Sequence, residues 1–177
     1  GRSVDTALAF VTLRVAAALE SKSQVLLSAF DFSSAFDTVD AELLLNKMSW
    51  LGARSKELIR SYLSGRSQKV FWNGSESALL PVPYGVPQGS ILGPLLFIFL
   101  TADLPRRVKS GAGNPAMNQE GKTDVTLYAD DTSCVTVGSS IEAVLARDAQ
   151  ASAKLSDYSR GTRLSLNNDK TNRLHFS

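Results

Sequence analysis

Val125-Thr126-Leu127-Tyr128-Ala129-Asp130-Asp131-Thr132-Ser133-Cys134-Val135-Thr136-Val137 holds two runs rich in β-branched and apolar residues, 125–128 and 132–137, around a tight connection at Ala129 to Asp131. Two such runs so close together read as paired strands. The adjacent carboxylates in the turn have a plain explanation, since Asp favours turns by hydrogen-bonding nearby backbone. A second apolar run, Gln24 to Phe30, is rich in Val and Leu and too short for more than two helical turns. It suits a buried strand, and it leads into Asp31. If the two strands are antiparallel neighbours, Asp31, Asp130 and Asp131 reach one end of one sheet. Three carboxylates so placed repel and raise one another's pKa unless cations neutralise them. A divalent metal answers that need. Mg²⁺ takes oxygen ligands, usually a few carboxylates with substrate phosphates, and two ions about 4 Å apart serve in-line phosphoryl transfer.

Outward from these strands the pattern is mixed helix and strand. Val4, Leu8, Val11, Val15 and Leu19 recur every three or four residues, an amphipathic helix with Ser3 as its cap. Asp40 is placed to start a second helix that buries Leu43, Leu44, Met48 and Leu51 and stops near Gly52. A third runs from about Ser55 to Leu63, and Gly65 ends it. Ser67 to Trp72 and Ser75 to Leu80 flank Asn73-Gly74, a strong hairpin signal. Pro81, Pro83, Gly85, Pro87 and Gly89 make a loop, and Ser90 to Ala102 is apolar enough for a buried helix with Pro94 in its first turn. Residues 105–124, with three Gly, two Pro and the basic cluster Arg106, Arg107 and Lys109, read as a long surface loop. Ser140 to about Arg160 is amphipathic through Ile141, Val144, Leu145 and Leu155, and Leu174 to Phe176 closes the chain as a strand.

Composition sets the frame. With 177 residues, 44% of them hydrophobic and 20% charged, the chain suits one compact domain and argues against disorder. A balance of +2 is too small to identify a nucleic-acid partner, although residues 51–110 carry eight Lys and Arg against three Asp and Glu. One cysteine, Cys134, excludes a disulfide framework and a Cys-rich zinc site, and fits a reducing, intracellular setting. The apolar stretch Ile91 to Leu100 is interrupted by Gly93 and Pro94 and is about half of what a bilayer span needs, so no membrane role is expected. The sequence lacks an initiator Met and opens directly on helical pattern, so it is expected to be a piece of a longer protein.

Four stretches resemble, in order, the A, B, C and D motifs of reverse transcriptases. They are Phe30-Asp31-Phe32-Ser33-Ser34-Ala35-Phe36-Asp37-Thr38-Val39-Asp40, Gly85-Val86-Pro87-Gln88-Gly89-Ser90-Ile91-Leu92-Gly93-Pro94-Leu95-Leu96-Phe97, Leu127-Tyr128-Ala129-Asp130-Asp131-Thr132, and Gly161 to Lys170-Thr171. The wording of the first two is most similar to non-LTR, LINE-type retrotransposons. Group II intron proteins are the nearer rival, but they tend to carry Ser where this chain has Gly93. Viral RNA polymerases usually carry Gly-Asp-Asp in the third motif. Two departures stand out: the 105–124 segment is long, and Thr101-Ala102-Asp103 replaces a more usual Ile-Asn-Asp.

The resemblance implies an α+β fold: the palm of a right-hand polymerase, a split βαβ antiparallel sheet backed on one face by helices, with part of the fingers. Residues 1–177 would form a single partial domain without the N-terminal finger segment and the thumb, weak or inactive alone. It implies an RNA-directed DNA polymerase that extends a DNA primer on an RNA template from deoxynucleoside triphosphates by two-metal transfer, with two Mg²⁺ ions that Mn²⁺ replaces. It also implies a nuclear and cytoplasmic location. The alternatives are a group II intron-like enzyme and an inactive nucleic-acid-binding relic of the palm.

The same resemblance assigns roles. Asp31 and Asp130 would bridge the ions, with Asp131 and the backbone carbonyl of Phe32 completing the set. Ser34 and Ala35 would present backbone N–H groups to the triphosphate. Phe36 would sit beneath the sugar and exclude a ribose 2′-hydroxyl by bulk, where the plain alternative is a core aromatic. Gln88 would hydrogen-bond near the incoming nucleotide, and Gly89 would let the backbone approach the template pair. Lys170 would protonate the leaving pyrophosphate, against the plain reading of a solvated charge. Arg54, Lys56, Arg60, Arg66 and Lys69 are either phosphate contacts or a solvated face. Asp37 and Asp40 read as helix-start residues, and His175 and Cys134 as structural.

Overall fold

The structure, a computed structural model, describes residues 3–109 and 121–177. In chain order its elements are α1 (Val4–Glu20), β1 (Gln24–Ser33), α2 (Ala41–Lys47), α3 (Ala53–Leu63), β2 (Ser67–Gln68), β3 (Phe71–Trp72), β4 (Ser75–Glu76), β5 (Leu80–Pro81), α4 (Leu92–Thr101), α5 (Leu104–Lys109), β6 (Gly121–Tyr128), β7 (Asp131–Gly138), α6 (Ile141–Thr162) and β8 (Ser165–Phe176). They fall into two compact units, residues 1–33 with 102–177, and residues 34–101.

The first unit is built on an antiparallel sheet of order β6-β7-β1-β8. Side chains alternate across β1. Val25 and Leu27, with their partners Val137 and Val135, face α1 and join Val11, Val15 and Ala18 in one cluster. Leu26, Ser28 and Phe30 face the other way with Thr136, Cys134 and Thr132, all of them buried, toward α6. The expectation of helices on one face only is therefore corrected: α6 lies against one face and α1 covers part of the other. Within α1, Val4, Leu8 and Leu19 are exposed, so the buried stripe is narrower than the apolar period suggests. Ser3 caps it with Thr6 in a reciprocal box.

A buried carboxylate ties the layers. Asp148 of α6 accepts from Ser28 Oγ at 2.6 Å and from Arg173 Nε at 2.8 Å, linking the helix to β1 and β8. Asp124 on β6 accepts from Arg14 of α1 at 2.8 Å.

Several boundaries differ from the sequence reading. Asp31 lies inside β1 rather than after it, and β8 begins at Ser165 rather than Leu174. The segment 105–124 is no simple loop. Leu104 and Val108, four apart, bury one side of the short helix α5, and β6 starts at Gly121; residues 110–120 lie outside the described residues. Leu145 of α6 is exposed.

The second unit packs α2, α3 and α4 and carries a short β3–β4 hairpin enclosed by the two-residue β2–β5 pair. Asp40 caps α2 through Glu42 N and Leu43 N, as expected, but the helix stops at Lys47 and buries Leu44 and Leu45. Leu43 is not in the core. Lys47 Nζ reaches the Leu100 carbonyl at 2.7 Å, favourable at the C-terminal end of α4. Asn73 and Gly74 adopt positive φ, and Trp72 pairs with Ser75 across them, the hairpin geometry that Asn-Gly favours.

Candidate active site

The sheet register places the carboxylates. The β1–β7 pairing ends at Phe30↔Thr132, so Asp31 and Asp131 are each the next residue along, on the same face and at the same end of the sheet. Asp130 lies between Tyr128 and Asp131, in a two-residue turn whose Ala129 has φ +52°. Val25 and Leu27, under α1, occupy the same face farther along β1. One face is thus apolar under a helix at one end and acidic at the other.

The Asp131 carboxyl feels the other two. Asp131 is exposed as a residue, yet loss of water around its carboxyl raises its pKa above the usual carboxylate value, and the charges of Asp130 and then Asp31 raise it further. Asp31 and Asp130 are half-buried. Among the described residues, no three His, Cys, Asp or Glu side chains form a ready metal cage. The donor chemistry is nonetheless that of a hard divalent cation: oxygen-only, anionic and electrostatically strained.

One cation is already present. Asp31 pairs with Asn167 of β8, but Ala29 pairs with Asn172, so extra residues bulge out of β8 between them. Lys170 sits in that bulge. Its N–H donates to Asn167 Oδ1 at 3.3 Å, and Thr171 Oγ1 donates to the Asn167 carbonyl at 3.0 Å. From there Lys170 Nζ comes 3.5 Å from Asp31 Oδ2. Its side chain is largely exposed, so it is a solvated charge that also lies within ion-pair range of Asp31. The position depends on a bulge that the sequence does not announce.

The other expected site residues belong to the second unit. Ser34 has φ +48° and opens a turn in which Asp37 N–H donates to the Ser34 carbonyl at 2.9 Å. Ala35 is buried. Phe36 is half-buried, its ring 4.8 Å from that of Phe97, a buried residue of α4. Gln88 Nε2 donates to Asp37 Oδ1 at 2.9 Å. Asp37 therefore does not start a helix; it holds the Gln88 amide. Gly89 has φ +76° with open space about it, whereas a Cβ on Gly85 would come 2.8 Å from the Asp37 backbone. Gly93 is also closely packed, since a Cβ there would meet Ser90 Oγ at 2.9 Å and the Pro87 carbonyl at 3.0 Å.

The basic residues divide. Arg60 pairs with Glu42 and Glu57, and Lys69 with Glu76. Arg66 is bonded to main-chain carbonyls of Leu63, Tyr84 and Gly85. Neither phosphate contact nor solvated face describes Arg66, and the sequence offered no signal for its role. Cys134 is buried, its thiol pushed up to about 12 chiefly by desolvation, in keeping with a structural part. His175 bonds Gln24 across the β1–β8 pair at 2.7 Å.

Comparison with known proteins identifies the family. A model of the reverse transcriptase (RNA-dependent DNA polymerase) family matches residues 2–175. The chain is 32% identical over 169 residues to the RNA-directed DNA polymerase of transposon X-element from Drosophila melanogaster, covering 94% of this chain and 18% of that protein. It is 36% identical over 121 residues to the RNA-directed DNA polymerase of the mobile element jockey from Drosophila funebris, covering 67% and 13%. These relatives are polymerases of non-LTR retrotransposons, and the chain spans less than a fifth of their length. In fold it is similar to apo telomerase from Candida tropicalis truncated from its C-terminal domain, with a TM-score of 0.69 at 14% identity over 100% of this chain and 36% of that one. The α+β polymerase fold is thereby established. With almost every residue accounted for by a single family, the chain belongs to the reverse transcriptases.

Proposed function

We propose that this chain carries the polymerising residues of an RNA-directed DNA polymerase from a non-LTR retrotransposon, extending a DNA primer on an RNA template from deoxynucleoside triphosphates. The observation that carries the reading is the placement of Asp31, Asp130 and Asp131 at one end of one sheet face with their charges in mutual range. Reverse transcriptases in general depend on divalent metal. For this chain the ions are two Mg²⁺, for which Mn²⁺ substitutes. When bound, such ions would lower the pKa of a primer 3′-hydroxyl and neutralise charge on the leaving pyrophosphate.

Asp31, Asp130 and Asp131 would hold the ions through their carboxylates, and Phe32 through its main-chain carbonyl. Lys170, 3.5 Å from Asp31, would serve as the proton donor to the leaving pyrophosphate. The Ser34 and Ala35 backbone N–H groups offer donors to the triphosphate. Phe36, braced by Phe97, presents bulk toward the sugar and excludes the 2′-hydroxyl by clash. Gln88 and Gly89 border the template pair. The proposed setting is the nucleus and cytoplasm.

Primer extension by the complete polymerase on an RNA template tests the reading. Extension is expected only with Mg²⁺ or Mn²⁺. A complete protein that binds RNA but shows no metal-dependent extension overturns the enzyme and leaves a nucleic-acid-binding palm.

A further inference from the structure

Arg66 stands immediately before β2, and its half-buried guanidinium spends its donors on neutral carbonyls. Nε donates to the Leu63 carbonyl in the last turn of α3 at 3.0 Å, and Nη2 donates to the carbonyls of Tyr84 at 2.7 Å and Gly85 at 2.5 Å. Each of the latter two carbonyls shares a peptide plane with the next N–H. The Tyr84–Gly85 plane passes on to the Val39 carbonyl through Gly85 N–H at 2.8 Å, and the Gly85–Val86 plane to the Phe36 carbonyl through Val86 N–H at 2.8 Å. A rigid planar amide polarised at its oxygen donates better at its nitrogen, so the two bonds on each plane reinforce one another. Two successive peptide planes thus connect one guanidinium to the main chain of Phe36 and Val39.

Other features make this join specific. Gly85 has φ +85°, and a Cβ there would meet the Asp37 backbone at 2.8 Å, so the loop lies in direct main-chain contact with the Phe36-Asp37 turn. Beyond the planes, Gln88 closes on Asp37. Val82 N–H returns to the Arg66 carbonyl at 2.9 Å, so Arg66 is fixed at both its main chain and its side chain. A groove of about 660 Å³, lined in part by Asp37, Arg66, Tyr84, Gly85 and Gln88, runs along this seam.

We infer that Arg66 is a positioning residue for sugar selection: through the Tyr84–Gly85 and Gly85–Val86 peptide planes it fixes the main chain of Phe36 and thereby the ring that excludes ribonucleotides. The inference rests on the reading of Phe36 as the sugar gate. Arg66 itself touches no reacting atom. A Lys keeps the charge but lacks the planar fork, so it cannot hold both carbonyls in one geometry while also reaching Leu63.

Single-nucleotide incorporation by the complete polymerase, with deoxy- and ribonucleoside triphosphates compared on one RNA template, tests it. Arg66→Lys is expected to lower the deoxy-to-ribo ratio of kcat/KM by roughly three- to tenfold, the scale of a lost charge-assisted hydrogen bond acting at second hand. The deoxynucleotide kcat should change less than KM. A structural weakening alone lowers both substrates together and leaves the ratio in place. Thermal melting confirms folding, and Arg66→Gln, which lacks both the charge and the reach, serves as the second variant with a change in ratio at least as large. If Phe36→Val relaxes discrimination and folded Arg66→Lys and Arg66→Gln do not, the inference is wrong while the gate stands. If Phe36→Val also leaves the ratio unchanged, the gate reading fails and the inference with it.

Discussion

The two units hold their key residues by opposite means. In the sheet unit, Val25, Ser28, Cys134, Val135 and Thr136 are 0% exposed, and the acidic residues inherit their places from strand register. In the second unit, the hairpin residues Phe71 and Trp72 are 66% and 74% exposed, and Phe36 and Gln88 are placed by loop contacts rather than by a ladder. A closely packed ladder tolerates little displacement, which suits groups that must share charge. A loop docked by a few main-chain bonds sets shape, which suits selection. Substitutions in the first unit are therefore expected to strike chemistry or folding, and those in the second to strike choice of substrate.

Asp130→Asn gives the largest expected effect. In the complete polymerase it should lower metal-dependent extension by roughly 10³-fold or more, about 4 kcal/mol of transition-state stabilisation, since Asn keeps the shape but removes an anionic ligand. Template affinity, which phosphate contacts dominate, should hold in a filter-binding assay. Comparable activity in the variant would break the link between sheet register and chemistry.

Next comes the anchor beneath the same sheet. Asp148→Ala leaves Arg173 and Ser28 without their acceptor, and a loss of about 3 kcal/mol is expected in denaturant unfolding, with the slope unchanged. A shift under about 0.5 kcal/mol would class the network as surface-like.

Phe36→Val sharpens the contrast from the other side. It should lower deoxy-over-ribo discrimination by about tenfold, or about 1.4 kcal/mol, with extension on deoxynucleotides largely kept. A collapse of both activities would mean that its stacking on Phe97 supports the fold instead.

The smallest effect concerns pH. Because the folded state raises the Asp131 pKa, it binds this proton more readily than the unfolded chain does. Its contribution is therefore unfavourable above that raised value and disappears once both states are protonated in acid. Asp131→Asn should raise the metal-free melting temperature at neutral pH by a small margin that vanishes below about pH 4, the ordinary carboxylate range. A margin that persists in acid would rule out charge repulsion as its cause.

Much of this was readable in one dimension. Alternating and apolar runs marked β1 and the β6–β7 pair, Ser3, Asp40 and Ser140 marked helix starts, and Asn73-Gly74 marked a turn, because each depends on local backbone preference. The motifs around Asp31, Gln88, Asp130 and Lys170 carried the family. What burial would do was less legible. Apolar spacing in α1 and α6 pointed to Leu8, Leu19 and Leu145, all of which the structure leaves exposed. Periodicity names a face, whereas its burial depends on what packs there.

By itself, then, the sequence determined the strand-borne carboxylates, the order of the motifs and hence the reverse transcriptase family. Only the tertiary structure decided that β8 bulges to bring Lys170 to Asp31, that Asp37 holds Gln88, and that Arg66 donates to the Tyr84 and Gly85 carbonyls. These contacts join residues far apart in the chain through backbone carbonyls and side-chain reach. No residue pattern encodes a main-chain acceptor, because every residue carries one.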